Sequence, residues 1–139
     1  MGYSDLYEES LRLTDLVNEY KENKDYDKLE ETLLELIEVY GSLNYSDEDE
    51  YLEEVIDSYK ELKDIYVLKR KIPEMLEAYR LIIEGYDYII QRDIHQEDLK
   101  QKHIKELKEV YEVVKGLYAK ANIKNSIKED FPNIKEYLD

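Results

Sequence analysis

Apolar side chains recur three and four positions apart along nearly the whole chain, the spacing that puts them on one face of an α-helix. Leu6, Leu13, Leu16, Val17 and Tyr20 form the first such stripe. Ser4 stands where a helix cap belongs, and the polar segment NKDYD predicts an end near Asn23. Asp27 followed by Glu30 reads as a capping box for a second helix. Its stripe is Leu29, Leu33, Leu36, Ile37 and Tyr40, and Gly41 supplies its stop. Ser46 with Asp49 is a further N-cap pattern, and the acidic residues 47–50 fall in a first turn, where the helix dipole favours them.

A third helix carries Leu52, Val55, Ile56, Tyr59, Leu62, Ile65 and Tyr66 and closes on the basic run KRK. Pro73 suits the first residue of a fourth, whose stripe of Ile72, Met75, Tyr79, Ile82, Ile83, Tyr86 and Ile90 runs straight through Gly85. Asp93 is the next cap candidate, and residues 91–102 are either a linker or the exposed start of helix five. Ile104, Leu107, Val110, Tyr111, Val114, Leu117, Tyr118 and Ala121 then continue the pattern through Gly116. In the tail, Ser126 and Glu129 suit a short helix interrupted by Pro132, with a last turn over residues 133–138.

No segment sustains period-2 alternation, and no Asn-Gly or Asp-Gly turn occurs, so the expected fold class is all-α. Short connections at 23–26 and 70–72 make neighbouring helices antiparallel. The expected organisation is a single domain over 1–139, built of helical hairpins over about 4–41, 46–91 and 96–138. Tyr59–Arg70 (YKELKDIYVLKR) also has a counterpart in Ile104–Lys115 (IKELKEVYEVVK). Leu13, Leu16 and Tyr20 repeat the spacing of Tyr59, Leu62 and Tyr66 and of Ile104, Leu107 and Tyr111, at offsets of 46 and 45 residues. A period in this range marks stacked helical units.

Residues 59–84 resemble the tetratricopeptide repeat. Tyr59, Leu62 and Tyr66 match the first helix of that motif, and Met75, Tyr79 and Ile82 the packing positions of its second. Residues 13–38 fit the same frame, with KDYDK similar to its turn. The resemblance covers about residues 10–90 and implies hairpins stacked as a short right-handed array; a compact antiparallel helical bundle is the alternative. Val17, Lys63 and Lys108, and likewise Leu29 and Met75, stand where the family has small residues, which implies wider hairpins. It also implies a groove lined by the first helix of each pair, with Thr14, Asn18, Lys21, Lys60, Asp64, Lys105 and Glu109 as partner-binding positions.

Charge sharpens the picture. Charged residues make up 40% of the chain and mean hydropathy is -0.74, values that would signal disorder without the helical spacing and here describe solvated helix faces. Of the net charge of -15, residues 1–60 carry -14, from 19 acidic and 5 basic side chains. That half repels nucleic acid and attracts basic partners. No apolar run approaches the roughly 18 residues that span a membrane, and the acidic start MGYSDLYEES lacks a secretory signal, so a soluble cytoplasmic protein is expected.

Catalytic and metal chemistry finds little footing. His95 and His103 are eight residues apart, not the four of a helical metal pair, and read as surface histidines. The many adjacent carboxylates read as solvated faces, some paired with lysines at helical spacing such as Glu61 with Lys69. There is no Cys and no glycine-rich phosphate loop. Of the 15 tyrosines, those at 20, 59, 66, 79, 86, 111 and 118 lie on stripes, whereas Tyr3, Tyr45, Tyr51 and Tyr88 lie off or at the edge of them and suit a protein-binding surface. The expected function is non-enzymatic: a scaffold that binds a basic or amphipathic peptide or helical segment, as monomer or homodimer, without cofactor. The alternative is an acidic inhibitor that imitates nucleic acid, suggested by SDEDEYLEE at 46–54.

Overall fold

Each of the five stripes folds as a helix. The computed structural model describes residues 2–46, 50–120, 134 and 137. Over these the protein is all-α, with α1 (Tyr3–Glu22), α2 (Tyr26–Ser46), α3 (Leu52–Leu68), α4 (Ile72–Arg92) and α5 (Glu97–Lys120). No strand occurs among the described residues.

Two corners turn the chain back on itself, α1 into α2 and α3 into α4, and they are built alike. At the first, the Asp25 N–H donates to the Tyr20 carbonyl at 3.0 Å and the Lys24 N–H to the Lys21 carbonyl at 3.2 Å. At the second, the Lys71 N–H donates to the Tyr66 carbonyl at 2.9 Å and the Arg70 N–H to the Val67 carbonyl at 3.1 Å. Both are Schellman closures, which satisfy the last carbonyls of a helix by placing one residue in the left-handed region. Lys24 (φ 55°) and Arg70 (φ 56°) hold that conformation without being glycine. The matching bonds lie 46 residues apart, the offset at which Leu16 and Leu62 recur in the sequence.

The chain divides into two compact units, residues 1–82 and 83–139. In the first, α1 packs on α2 and α2 on α3. Leu13, Val17, Leu29, Leu33, Leu36, Leu62 and Ile65 form its core, flanked by half-buried Tyr20, Tyr26, Tyr40, Tyr59 and Tyr66. Ser10, Thr32 and Ser58 are buried among the apolar positions, and each hydroxyl donates to a carbonyl of the preceding turn of its own helix. They pack as small residues without leaving a polar atom unsatisfied. In the second unit the buried side chains include Ile83, Tyr86, Ile89, Ile90, Ile104, Leu107 and Val114, with Ile134 and Tyr137 of the tail.

Several sequence expectations shift. Ser4 lies inside α1, whose N-cap is Gly2 with no side-chain cap bond. Asp25, not Asp27, receives the capping bond of α2, from the Lys28 N–H at 3.3 Å; Asp27 comes two residues too late, inside the helix, and bonds Lys69 instead. Gly41 does not stop α2. The helix continues because Leu43 and Asn44 bury another turn, and the Asn44 side-chain oxygen accepts the Tyr51 N–H at 2.6 Å, tying the end of α2 to the start of α3. Asp93 does not cap α5; it closes α4 as a buried side chain. Gly85 and Gly116 are helix-interior as expected. The pattern Ser46/Asp49 and the tail elements around Ser126, Glu129 and Pro132 involve positions outside the described residues.

Lys63, at one of the positions where the repeat motif has a small residue, folds its ammonium over the Tyr79 ring at 5.7 Å and bonds Asp64 at 2.6 Å. Val17, Leu29 and Met75 are buried, and Lys108 is exposed. Tyr79 and Tyr86 are buried stripe residues, while Tyr45 and Tyr88 are exposed, 94% and 66%.

A left-handed lysine costs about 1 kcal/mol that glycine would not incur. Lys24→Gly is expected to raise unfolding stability by about 0.5–1 kcal/mol, read as a higher urea midpoint at unchanged slope.

Candidate functional site

A groove of about 360 Å³ opens in the first unit, lined by Leu34, Tyr59, Leu62, Tyr66, Pro73, Glu74, Glu77, Ala78 and Leu81. Its construction follows from helix phase. Tyr59, Leu62 and Tyr66 are one face of α3, and Glu74, Glu77, Ala78 and Leu81 one face of α4. Leu34 comes from α2, one position off the buried stripe, and is 44% exposed. The only charged side chains in the lining are carboxylates. Glu77 receives two hydrogen bonds from Arg80. Glu74 is exposed. Burial, reinforced by the carboxylates of Glu30 and Glu74, pushes the Tyr66 hydroxyl above its ordinary value. That hydroxyl therefore stays protonated and can donate.

The partner-binding positions expected from the tetratricopeptide resemblance lie elsewhere. Thr14, Asn18 and Lys21 follow one another along one face of α1, where the Thr14 hydroxyl donates to the Ser10 carbonyl at 2.7 Å. Lys21 reaches across to Glu61 of α3 at 2.6 Å, and Lys60 is the half-buried residue before it. Asp64 is held by its neighbour Lys63. Lys105 and Glu109 are exposed, one turn apart on α5 in the second unit. None of the seven lines the groove. What does line it had a sequence signal: Leu34 and Leu81 are leucines one place outside an otherwise regular stripe.

In the first unit an aromatic cluster forms near the start of α1. Tyr3 stacks on Tyr7 with ring centroids 6.5 Å apart, Tyr40 on Tyr51 at 5.8 Å, and the Tyr3 and Tyr51 hydroxyls are 2.8 Å apart. Tyr51, expected at the edge of a stripe, is thereby half-buried.

In the second unit His103 departs from expectation. His95 is exposed, but His103 is 1% exposed. Its Nε2 lies 3.6 Å from Asp93 and its Nδ1 3.8 Å from Glu106. Arg92 grips the Asp93 carboxylate with two hydrogen bonds of 3.0 and 2.9 Å, and the Tyr86 hydroxyl donates to Glu106 at 3.1 Å. The polar run 91–102 concealed this, because the histidine starts the buried stripe one position before Ile104. Arg92 holds the Asp93 carboxyl below the ordinary carboxylate value against the opposing effect of burial, with a smaller pull from His103. The cluster fastens the turn between α4 and α5.

Among the described residues no group of three or more potential ligands is placed to hold a metal ion, and no helix is long and apolar enough to cross a membrane. The chain matches no protein-family model, no curated protein and no solved structure. The class is therefore defined by geometry alone: an all-α protein with five helices among the described residues, antiparallel corners and an apolar groove.

Because Asp93 has a lowered pKa in the fold, it contributes stability at neutral pH that is lost as pH falls through that folded value, below the 3.8 of the free side chain. Asp93→Asn is expected to lower the urea midpoint at pH 7. The gap from wild type should shrink as the pH drops from about 5 to below 3.

Proposed function

We propose that this protein is a non-enzymatic cytoplasmic docking module that takes a basic, apolar helical segment of another protein into the groove of its first unit. The observation that carries this is the groove's lining. Leu34, Leu81, Pro73 and two tyrosine rings offer apolar contact, and the charged side chains of the lining, Glu74 and Glu77, are both carboxylates. An amphipathic helix presents the complement, with apolar anchors on one face and lysine or arginine at its edge. The first sixty residues add a field of net charge -14, which draws a basic segment toward the unit.

The tetratricopeptide resemblance supports the same reading. Two corners with one bonding pattern, 46 residues apart, favour two copies of one hairpin unit. The α1–α3 face carrying Thr14, Asn18, Lys21, Lys60 and Asp64 is a second surface for the partner; there Lys21 is already engaged by Glu61. Imitation of nucleic acid is the competing use of the acidic charge. The ties of Asp27 and Glu30 to Lys69 take part of that charge out of play.

Each anchor of leucine size contributes about 1.5–3 kcal/mol when buried. In a screen of displayed basic amphipathic helices against the full chain, selected peptides are expected to bind Leu34→Ala about tenfold more weakly than wild type. Their affinity for wild type should fall only a few-fold between roughly 0.05 and 0.5 M salt, because salt screens the carboxylates but not the apolar anchors. A steep loss over that range, with Leu34→Ala unaffected, would instead mark the acidic field as the whole interaction.

A further inference from the structure

The groove assigned above to a basic, apolar segment lies beside a segment of that chemistry in the same chain. The corner between α3 and α4 exposes Val67 (50%), Leu68 (62%) and Ile72 (48%), with Arg70 among them. Its other cations are engaged: Lys69 bonds Asp27 at 2.6 Å and Glu30 at 3.2 Å, and Lys71 lies 3.8 Å from Glu30. Arg70 is thus the cation the corner presents outward, fixed in the left-handed conformation of the turn. On the groove side Glu77 is engaged by Arg80, so Glu74 is the carboxylate the groove presents.

A chain cannot place this corner in its own groove, because Tyr66 and Pro73 at the corner's base are already part of the groove wall. A second copy related by a twofold axis meets no such restriction. Groove and corner are adjacent, so one patch carries both halves of an isologous contact. In it Arg70 of each chain faces Glu74 of the other, and the exposed Val67, Leu68 and Ile72 cover the partner's Leu34 and Tyr59. We propose that a second copy of this chain occupies the groove when no partner does, and that the homodimer is the resting state from which a partner segment must displace it. This rests on the groove being a docking site for basic, apolar segments.

The two charges allow a test that only this arrangement passes. Sedimentation velocity on the full chain from about 1 μM to 1 mM is expected to show monomer converting to dimer. Arg70→Glu and Glu74→Arg should each weaken the dimer by roughly a hundredfold, since each sets two pairs of like charges face to face. An equimolar mixture of the two variants should dimerise again, because the heterodimer restores both opposite-charge pairs. Circular dichroism and the urea midpoint establish that both variants are folded. A wild-type chain that stays monomeric over the whole range overturns the proposal. So do variants that dimerise as wild type does, or a mixture of monomeric variants that fails to associate. Peptide binding measured on monomeric Arg70→Glu reads the groove alone, so loss of the dimer and loss of the docking function are distinguishable.

Discussion

The constraint on which the first unit depends is the reversal of the chain within three residues. A helix of 20 residues buries one face, and that face has no use unless the next helix returns along it. The Schellman closure makes the return possible. It ends the helix by satisfying its last carbonyls and aims the following residue into a new first turn, so that Leu29 N–H bonds Asp25 and Met75 N–H bonds Lys71. The core of Leu13, Val17, Leu29, Leu33, Leu36, Leu62 and Ile65 collects on the inner side of these reversals. Lysine and arginine at the left-handed positions are a local cost that burial of this core outweighs many times over.

Charge is organised around the same corners. The acidic excess of the first sixty residues would push α1, α2 and the start of α3 apart if it were left unopposed. Lys69 and Lys71, at the second corner, reach back to Asp27 and Glu30 at the start of α2, and Lys21 crosses to Glu61. Pairs at the surface such as Lys21 with Glu61 contribute little individually. Their effect lies in placement: they connect segments about forty residues apart, and they leave Arg70 and Glu74 as the charges displayed beside the groove.

The amphipathic stripes made the helices legible, because burial of a periodic face overrides local preferences. Gly85 and Gly116 show this, each remaining helical as the stripe required. The same principle explains the failure at Gly41. A glycine there suits a stop, yet Leu43 and Asn44 have more to bury, and the helix goes on. Caps were misplaced by one or two residues because the closure at each corner is set by backbone geometry, which Asp25 and Lys71 complete irrespective of the better-looking Asp27/Glu30 pattern. Spacing pairs Glu61 with Lys69 along α3, whereas both side chains reach other helices instead. Sequence spacing sees only neighbours within one helix.

What the sequence concealed most fully was the distinction between a polar residue on a stripe and a polar residue beside one. His103 lies in the polar part of α5, eight residues from His95 and without a metal-pair spacing, yet it is one helical position from Ile104 and falls inside. Leu34 is the mirror case, an apolar residue beside a buried stripe that stays 44% exposed. Helix phase accounts for both, since a turn of 3.6 residues lets a single step of 100° carry a side chain from solvent to core. The two outcomes have opposite consequences for function. An enclosed imidazole with Asp93 and Glu106 beside it fastens a turn and is withheld from any partner. An exposed leucine at the wall of an apolar, carboxylate-edged groove leaves apolar surface in water, the surface that the docking proposed above would bury.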